Sequence, residues 1–240
     1  MIDWLLRPKD DLAVDIGGRL VPLVVRRNAQ ARRMTMRLAP DGSEIRVTLP
    51  QWARTAEALA FARSKASWLG AQLDALPQAA APADGGTLRL RGDALEIVHD
   101  PARSRRIIID DGQLLVGGPT ESLPGRLSRW LQTEARALLS ADLDHYCLKA
   151  GKPVPRLMLS SAQRRWGSCA RDGTIRVNWR LVMAPDFVRR SVVAHEVAHL
   201  VHFDHSPAFH ALLGELFEGD LRAANRWLKR EGRTLYLALG

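Results

Sequence analysis

The sequence predicts an α+β protein: a β-hairpin-rich first half carrying one helix, then a mainly helical second half. Three observations lead there. Before residue 118, short runs of alternating apolar and polar residues are separated by Gly- and Asp-containing turns. Apolar residues recur at helical spacing over 55–76 and again over 120–150. A further helical stretch, Phe187 to Val201, is apolar nearly all round and carries His195-Glu196-Val197-Ala198-His199.

A first strand is expected at about Leu20 to Arg26, with Pro22 suggesting a sheet edge, because proline cannot donate to a ladder. Met34, Met36 and Leu38, then Ile45, Val47 and Leu49, alternate on either side of Pro40-Asp41-Gly42 and predict a half-buried hairpin. Thr55 to Leu76 reads as one helix with Leu59, Ala62, Ala66, Leu69 and Leu73 on one face. Pro77 to Gly86 is the clearest linker. Two more hairpins are expected, turning at Gly92-Asp93 and at Asp111-Gly112. A long helix from about Thr120 to Ala150 tolerates Pro124 in its first turn. These elements suggest a β-rich region over 1–118, separate from or continuous with a second region over 119–240.

Composition narrows the class. The 240 residues are 46% hydrophobic and 25% charged, as in ordinary globular proteins. No apolar run is long enough to span a bilayer, so no membrane partner is expected. Asp3, Asp10 and Asp11 fall where a basic and apolar leader would be, which makes a cytoplasmic location the expectation. Cys147 and Cys169 then read as free thiols. The net charge of +9 comes almost wholly from arginine, in pairs scattered along the chain. A scattered excess reads as solvated surface, whereas a stripe would mean phosphate contacts; a nucleic-acid partner is left open. The oligomeric state is not legible.

The chemistry concentrates at His195, Glu196 and His199. Histidines four apart on a helix share a face, so both imidazoles can reach one ion, with Glu196 beside them as a general base for water. The other charged residues from Phe187 to Val201 are Arg189 and Arg190, so the helix should be buried. A buried carboxylate between two buried imidazoles is costly without a cation to pair with. Ser206-Pro207 is an N-cap and first-turn pair, which places His205 at a sharp corner from which it can swing back to the metal. Three nitrogen ligands leave one position open for water, and His205 is therefore preferred as third ligand over His202, Glu215 and Glu218. His210 reads as packing or surface.

Upstream, Arg165-Trp166-Gly167-Ser168-Cys169 precedes an Asp172-Gly173 turn and a second extended run to Trp179. Such a hairpin can lie across the mouth of the site, its free edge binding an extended peptide and Gly167 permitting close approach of another backbone. These five residues are the candidate substrate-binding segment.

The pattern from Arg165 to Cys169, Ile175-Arg176-Val177-Asn178, His195 to Leu200, and His205-Ser206-Pro207-Ala208-Phe209 resembles the YgjP-like zinc metallopeptidases, relatives of the SprT and WLM zincins. The resemblance covers most of the chain. It implies a zincin-like α+β fold, Zn2+ on His195, His199 and His205, and Glu196 activating water to cleave a peptide or protein substrate. His210 departs from it, since relatives commonly carry a bulky aromatic there. Tyr236, Arg165 and His202 are candidate donors to the oxyanion of such a reaction. Two alternatives share the site: a metal-dependent nucleotide pyrophosphatase, for which no glycine-rich phosphate cradle is visible, and a nucleic-acid-associated SprT-like protease.

Overall fold

The computed structural model describes residues 12–76, 82–237 and 239. Asp3, Asp10 and Asp11 lie outside these residues, as does the 77–81 portion of the expected linker. The chain forms two compact units, residues 1–78 and 79–240.

In the first unit, strands β1 (Ala13–Ile16), β2 (Arg19–Arg27), β3 (Thr35–Leu38) and β4 (Ile45–Leu49) form one sheet in the order β1-β2-β4-β3. The expected β3–β4 hairpin is present, with Gly42 at a φ of +75° donating its N–H to the Ala39 carbonyl. Pro22 does not mark an edge, because β2 lies inside the sheet. It pairs with β1 over Arg19–Pro22 and with β4 only from Leu23 onward, so the missing N–H falls where the strand changes partner. The helix expected over 55–76 breaks at Lys65 into α1 (Thr55–Ser64) and α2 (Ala66–Asp74). There the Ser64 hydroxyl bonds back to the Phe61 carbonyl, competing with the helical ladder. Val21, Leu23, Ile45, Val47 and Leu49 pack with Ala58, Ala62, Leu69 and Leu73 as the core of this unit.

The second unit begins with β5 (Thr87–Leu90), β6 (Asp93–Asp100), β7 (Ile108–Asp110) and β8 (Gln113–Gly117), which repeat the connectivity of the first sheet in the order β5-β6-β8-β7. In both sheets two antiparallel hairpins are joined by a parallel central pair. The first of these turns is Arg91-Gly92 rather than Gly92-Asp93, and both turns place two consecutive residues at positive φ, as tight hairpins require. Helix α3 (Leu123–Lys149) follows, burying Leu123, Leu127, Leu131, Ala135, Leu139 and Leu143 at intervals of four. Leu88, Ile97, Leu114 and Val116 of the sheet share one core with that helix. The β5–β8 sheet therefore belongs with the residues that follow it.

After α3 come β9 (Leu157–Ser160), β10 (Gly167–Cys169) and β11 (Ile175–Asn178), in the order β10-β11-β9. The predicted β10–β11 hairpin is antiparallel, while β9, too short to show a period, pairs parallel to β11. A 3-10 segment (Trp179–Met183) leads to α4 (Asp186–Ala198), followed by α5 (Pro207–Leu216), α6 (Leu221–Glu231) and a last 3-10 segment (Gly232–Tyr236). The chain is a mixed α+β protein. Among the described residues no helix is long and apolar enough to cross a membrane. Cys147 and Cys169 are free thiols.

Helix α4 is held from below. Arg189, 2% exposed, donates through Nε to Asp142 of α3 at 2.7 Å and through Nη1 to Asp186 at 2.5 Å. A buried guanidinium is tolerated because both partners are carboxylates in hydrogen-bond contact.

Candidate metal centre

Helix α4 places His195 and His199 one turn apart, with His199 capping its C-terminus in a helical conformation. The chain then turns, and Ser206 caps α5 by accepting the Phe209 N–H, with Pro207 in the first turn. His205 sits at that corner. Its Nε2 lies 3.3 Å from Nε2 of His195, and the ligand atoms of His195, His199 and His205 all lie within 4.8 Å of one another.

The floor under the three rings is Phe209, which sequence reasoning did not single out. It is wholly buried, and its ring centroid lies 5.0, 4.6 and 4.8 Å from those of His195, His199 and His205. The signal was its place four residues after His205, on the first turn of a helix whose cap is Ser206. His199 Nδ1 faces the His202 carbonyl oxygen at 3.1 Å, which fixes the ring and leaves Nε2 to turn inward. Burial pushes the His195 pKa down to about 4, with the neighbouring imidazoles of His199, His205 and His210 adding to the effect. Burial also lowers that of His199. Neutral rings are the form that ligates a metal.

Glu196 is 5% exposed. Burial raises its carboxyl pKa to about 7, against the opposing pull of the Cys169 backbone N–H and the Arg165 charge. Its Oε2 is buried without a hydrogen-bond partner among the described residues. Strand β10 runs directly over it. A Cβ built on Gly167 meets Glu196 Cδ and Cγ at 2.7 Å and overlaps Oε1 more closely still, so no larger residue fits without displacing the carboxylate. Gly167→Ala is expected to destabilise the protein by about 1–3 kcal/mol, the usual cost of forcing added atoms into packed space. Denaturant unfolding of the two proteins checks it.

Gly167, Ser168 and Cys169 line a cavity of about 300 Å³ together with His195, Glu196, His199, Phe203 and His205. The structure thus gathers three of the five segment residues at the histidine-lined cavity. Trp166 lines an adjoining cavity together with Gly167, His195 and Glu196 and packs on Tyr236 at 5.5 Å, and Arg165 is exposed, acting on Glu196 through its charge. Cys169 Sγ donates to the Ala170 carbonyl and lies outside the histidine cluster.

Other candidates are placed away from it. The Tyr236 hydroxyl accepts from Asn178 Nδ2 at 2.9 Å and donates to the Ala162 carbonyl at 3.0 Å, so it is engaged in the fold and does not serve as an oxyanion donor. Glu218 binds His145 at 2.7 Å, Tyr146 at 3.0 Å and Lys149 at 3.1 Å in a surface cluster. Although partial burial pushes the Glu218 pKa up, these donors outweigh that and bring it to about 2. Glu215 is exposed and stands outside the histidine cluster, as Glu218 does.

A metallopeptidase family model, YgjP-like, matches residues 32–231. The chain belongs to that family. Searches of curated proteins and of solved structures return no match. Membership of the YgjP-like family makes a metal-dependent peptidase the expected class, and the matched span contains the histidine cluster and Glu196.

The donors present fit such a metal. Four ligands placed tetrahedrally at zinc–nitrogen lengths of about 2.0–2.1 Å stand roughly 3.3 Å apart, which is the His195–His205 separation. A carboxylate oxygen without a partner among the described residues, beside three converging imidazoles, is an arrangement that a cation stabilises.

Proposed function

We propose that the protein is a zinc-dependent peptidase with a zincin-like catalytic unit, in which His195, His199 and His205 hold the metal and Glu196 handles the proton. The observation that carries this reading is the buried Glu196, unpartnered at Oε2, beside three converging imidazoles. Zinc held there supplies Lewis acidity, acidifying water and polarising a carbonyl oxygen.

The chain's own residues do the rest. The Glu196 carboxylate accepts the proton of the attacking water and delivers it to the departing amide nitrogen, a role its place beside the three imidazoles allows. Gly167 lets β10 pass close enough to hold that carboxylate in place. Phe209 and the His202 carbonyl fix the rings.

Strand β10 supports a peptide as the substrate. It is the edge of its sheet, with only β11 beside it. Asn178 N–H binds the Trp166 carbonyl and Ala170 N–H the Thr174 carbonyl, so the main-chain groups of the intervening odd-numbered residues face the outer edge. Cys169 directs its N–H at Glu196, and the groups left at Gly167 are available to an extended chain. Among the described residues no lysine or arginine lines the cavity, which speaks against a phosphoanhydride substrate.

The test is direct. Purified protein loaded with zinc, incubated with a mixed peptide library, is expected to yield cleaved peptides by mass spectrometry; a strong chelator stops cleavage and added zinc restores it. The same preparation is expected to release no pyrophosphate from nucleoside triphosphates. Pyrophosphate release without peptide cleavage would overturn the peptidase reading in favour of the nucleotide one.

A further inference from the structure

Beside the histidine-lined cavity lies a second one of about 490 Å³, bounded by α4, α5, α6 and Trp166. It shares Gly167, His195 and Glu196 with the first, so the two meet at the reacting centre. Val192 and Leu213, both under 9% exposed, form its floor with the buried Ser191, whose hydroxyl is engaged by the Val188 carbonyl. Trp166, Leu221 and Leu228 are half-buried walls. Exposed His210 and Asn225 sit at the rim. Among the described residues neither lysine nor arginine lines it, and the carboxylate that does is Glu196.

We infer that this second cavity is a specificity pocket that takes a large apolar side chain, of leucine, methionine or phenylalanine type, from the substrate residue flanking the scissile bond. The inference rests on the peptidase reading above, because that reading places a peptide bond where the two cavities join. A chain lying along β10 with its scissile carbonyl at the histidines has one adjacent side chain next to Glu196, at the mouth of this pocket. An apolar side chain there leaves water for Val192, Leu213, Leu221 and Leu228. An anionic one loses its hydration and meets the Glu196 carboxylate with no lysine or arginine among the described lining residues to pair with. Affinity discrimination between leucine and alanine at such a site is about tenfold or more.

The probes are simple hydroxamates carrying leucine, phenylalanine, alanine or aspartate side chains on either side of the chelating group, titrated calorimetrically into the zinc-loaded protein. In one of the two orientations the leucine and phenylalanine compounds are expected to bind at least tenfold tighter than the alanine compound, and the aspartate compound more weakly than alanine. Leu228→Trp fills the pocket and is expected to bring the leucine-to-alanine ratio to near one. Asn225→Trp, at the exposed rim, does the same work if Leu228→Trp does not fold. Equal binding of all four compounds in both orientations, or a preference that survives in the tryptophan variant, overturns the pocket. A preference found and then abolished in that variant supports the pocket even where no peptide is cleaved, in which case it is the peptidase reading that falls.

Discussion

Replacing Glu196 with Gln is expected to lower kcat by about 10²–10⁴-fold, the usual contribution of a positioned general acid–base, while zinc content stays that of the natural protein. The amide is nearly isosteric with the carboxylate, so it fits under β10, where Gly167 leaves space for the existing side chain alone. It cannot accept the proton of the attacking water. The histidines proposed to hold the metal are unaltered, which separates loss of chemistry from loss of cofactor. Turnover retained within tenfold in Glu196→Gln would assign the proton transfer elsewhere. Rates and metal content measured on one preparation decide the matter.

His205→Ala is expected to weaken zinc binding by more than about 100-fold, beyond what removal of an outer-shell partner costs. His205 is the exposed member of the trio and comes from the corner before α5, whereas His195 and His199 share one helix. Its loss leaves two nitrogens one helical turn apart and no donor in its place, since Cys169 lies outside the cluster and Glu218 is bound to His145, Tyr146 and Lys149. His210→Ala is the matched control. Its ring stands 6.3 Å from that of His205 and outside the cluster, so its removal is expected to leave zinc affinity unchanged. Competition against a chelator of known affinity measures both variants. Equal weakening by the two substitutions would mean that His205 has no privileged position.

The centre was legible in the sequence because its parts are local. The spacing of His195 and His199 is a property of any helix, and the Ser206-Pro207 pair places a corner at His205 whatever packs around it. The hairpins turning at Asp111-Gly112 and Asp172-Gly173 were readable for the same reason: a tight turn needs residues that accept positive φ. What was not legible depends on contacts distant in sequence. Pro22 read as an edge because proline withdraws a donor, and nothing local shows that β2 changes partners at that residue. Tyr236 was open as an oxyanion donor until Asn178 and Ala162, far away along the chain, were seen to engage its hydroxyl. The role of Gly167 as space for Glu196, and the joining of Leu213, Leu221 and Leu228 into one pocket wall, arise only when β10 and three helices meet. Local chemistry announces the histidine cluster; the cavities beside it are assembled by tertiary packing.

X-ray absorption at the zinc edge, on protein loaded with one equivalent of zinc, tests the central claim most directly. The account predicts a first shell of three imidazole nitrogens and one oxygen at about 2.0–2.1 Å, falling to two imidazoles in His205→Ala. A sulfur scatterer at about 2.3 Å, which would bring Cys169 into the shell, or a shell unchanged by His205→Ala, would contradict it.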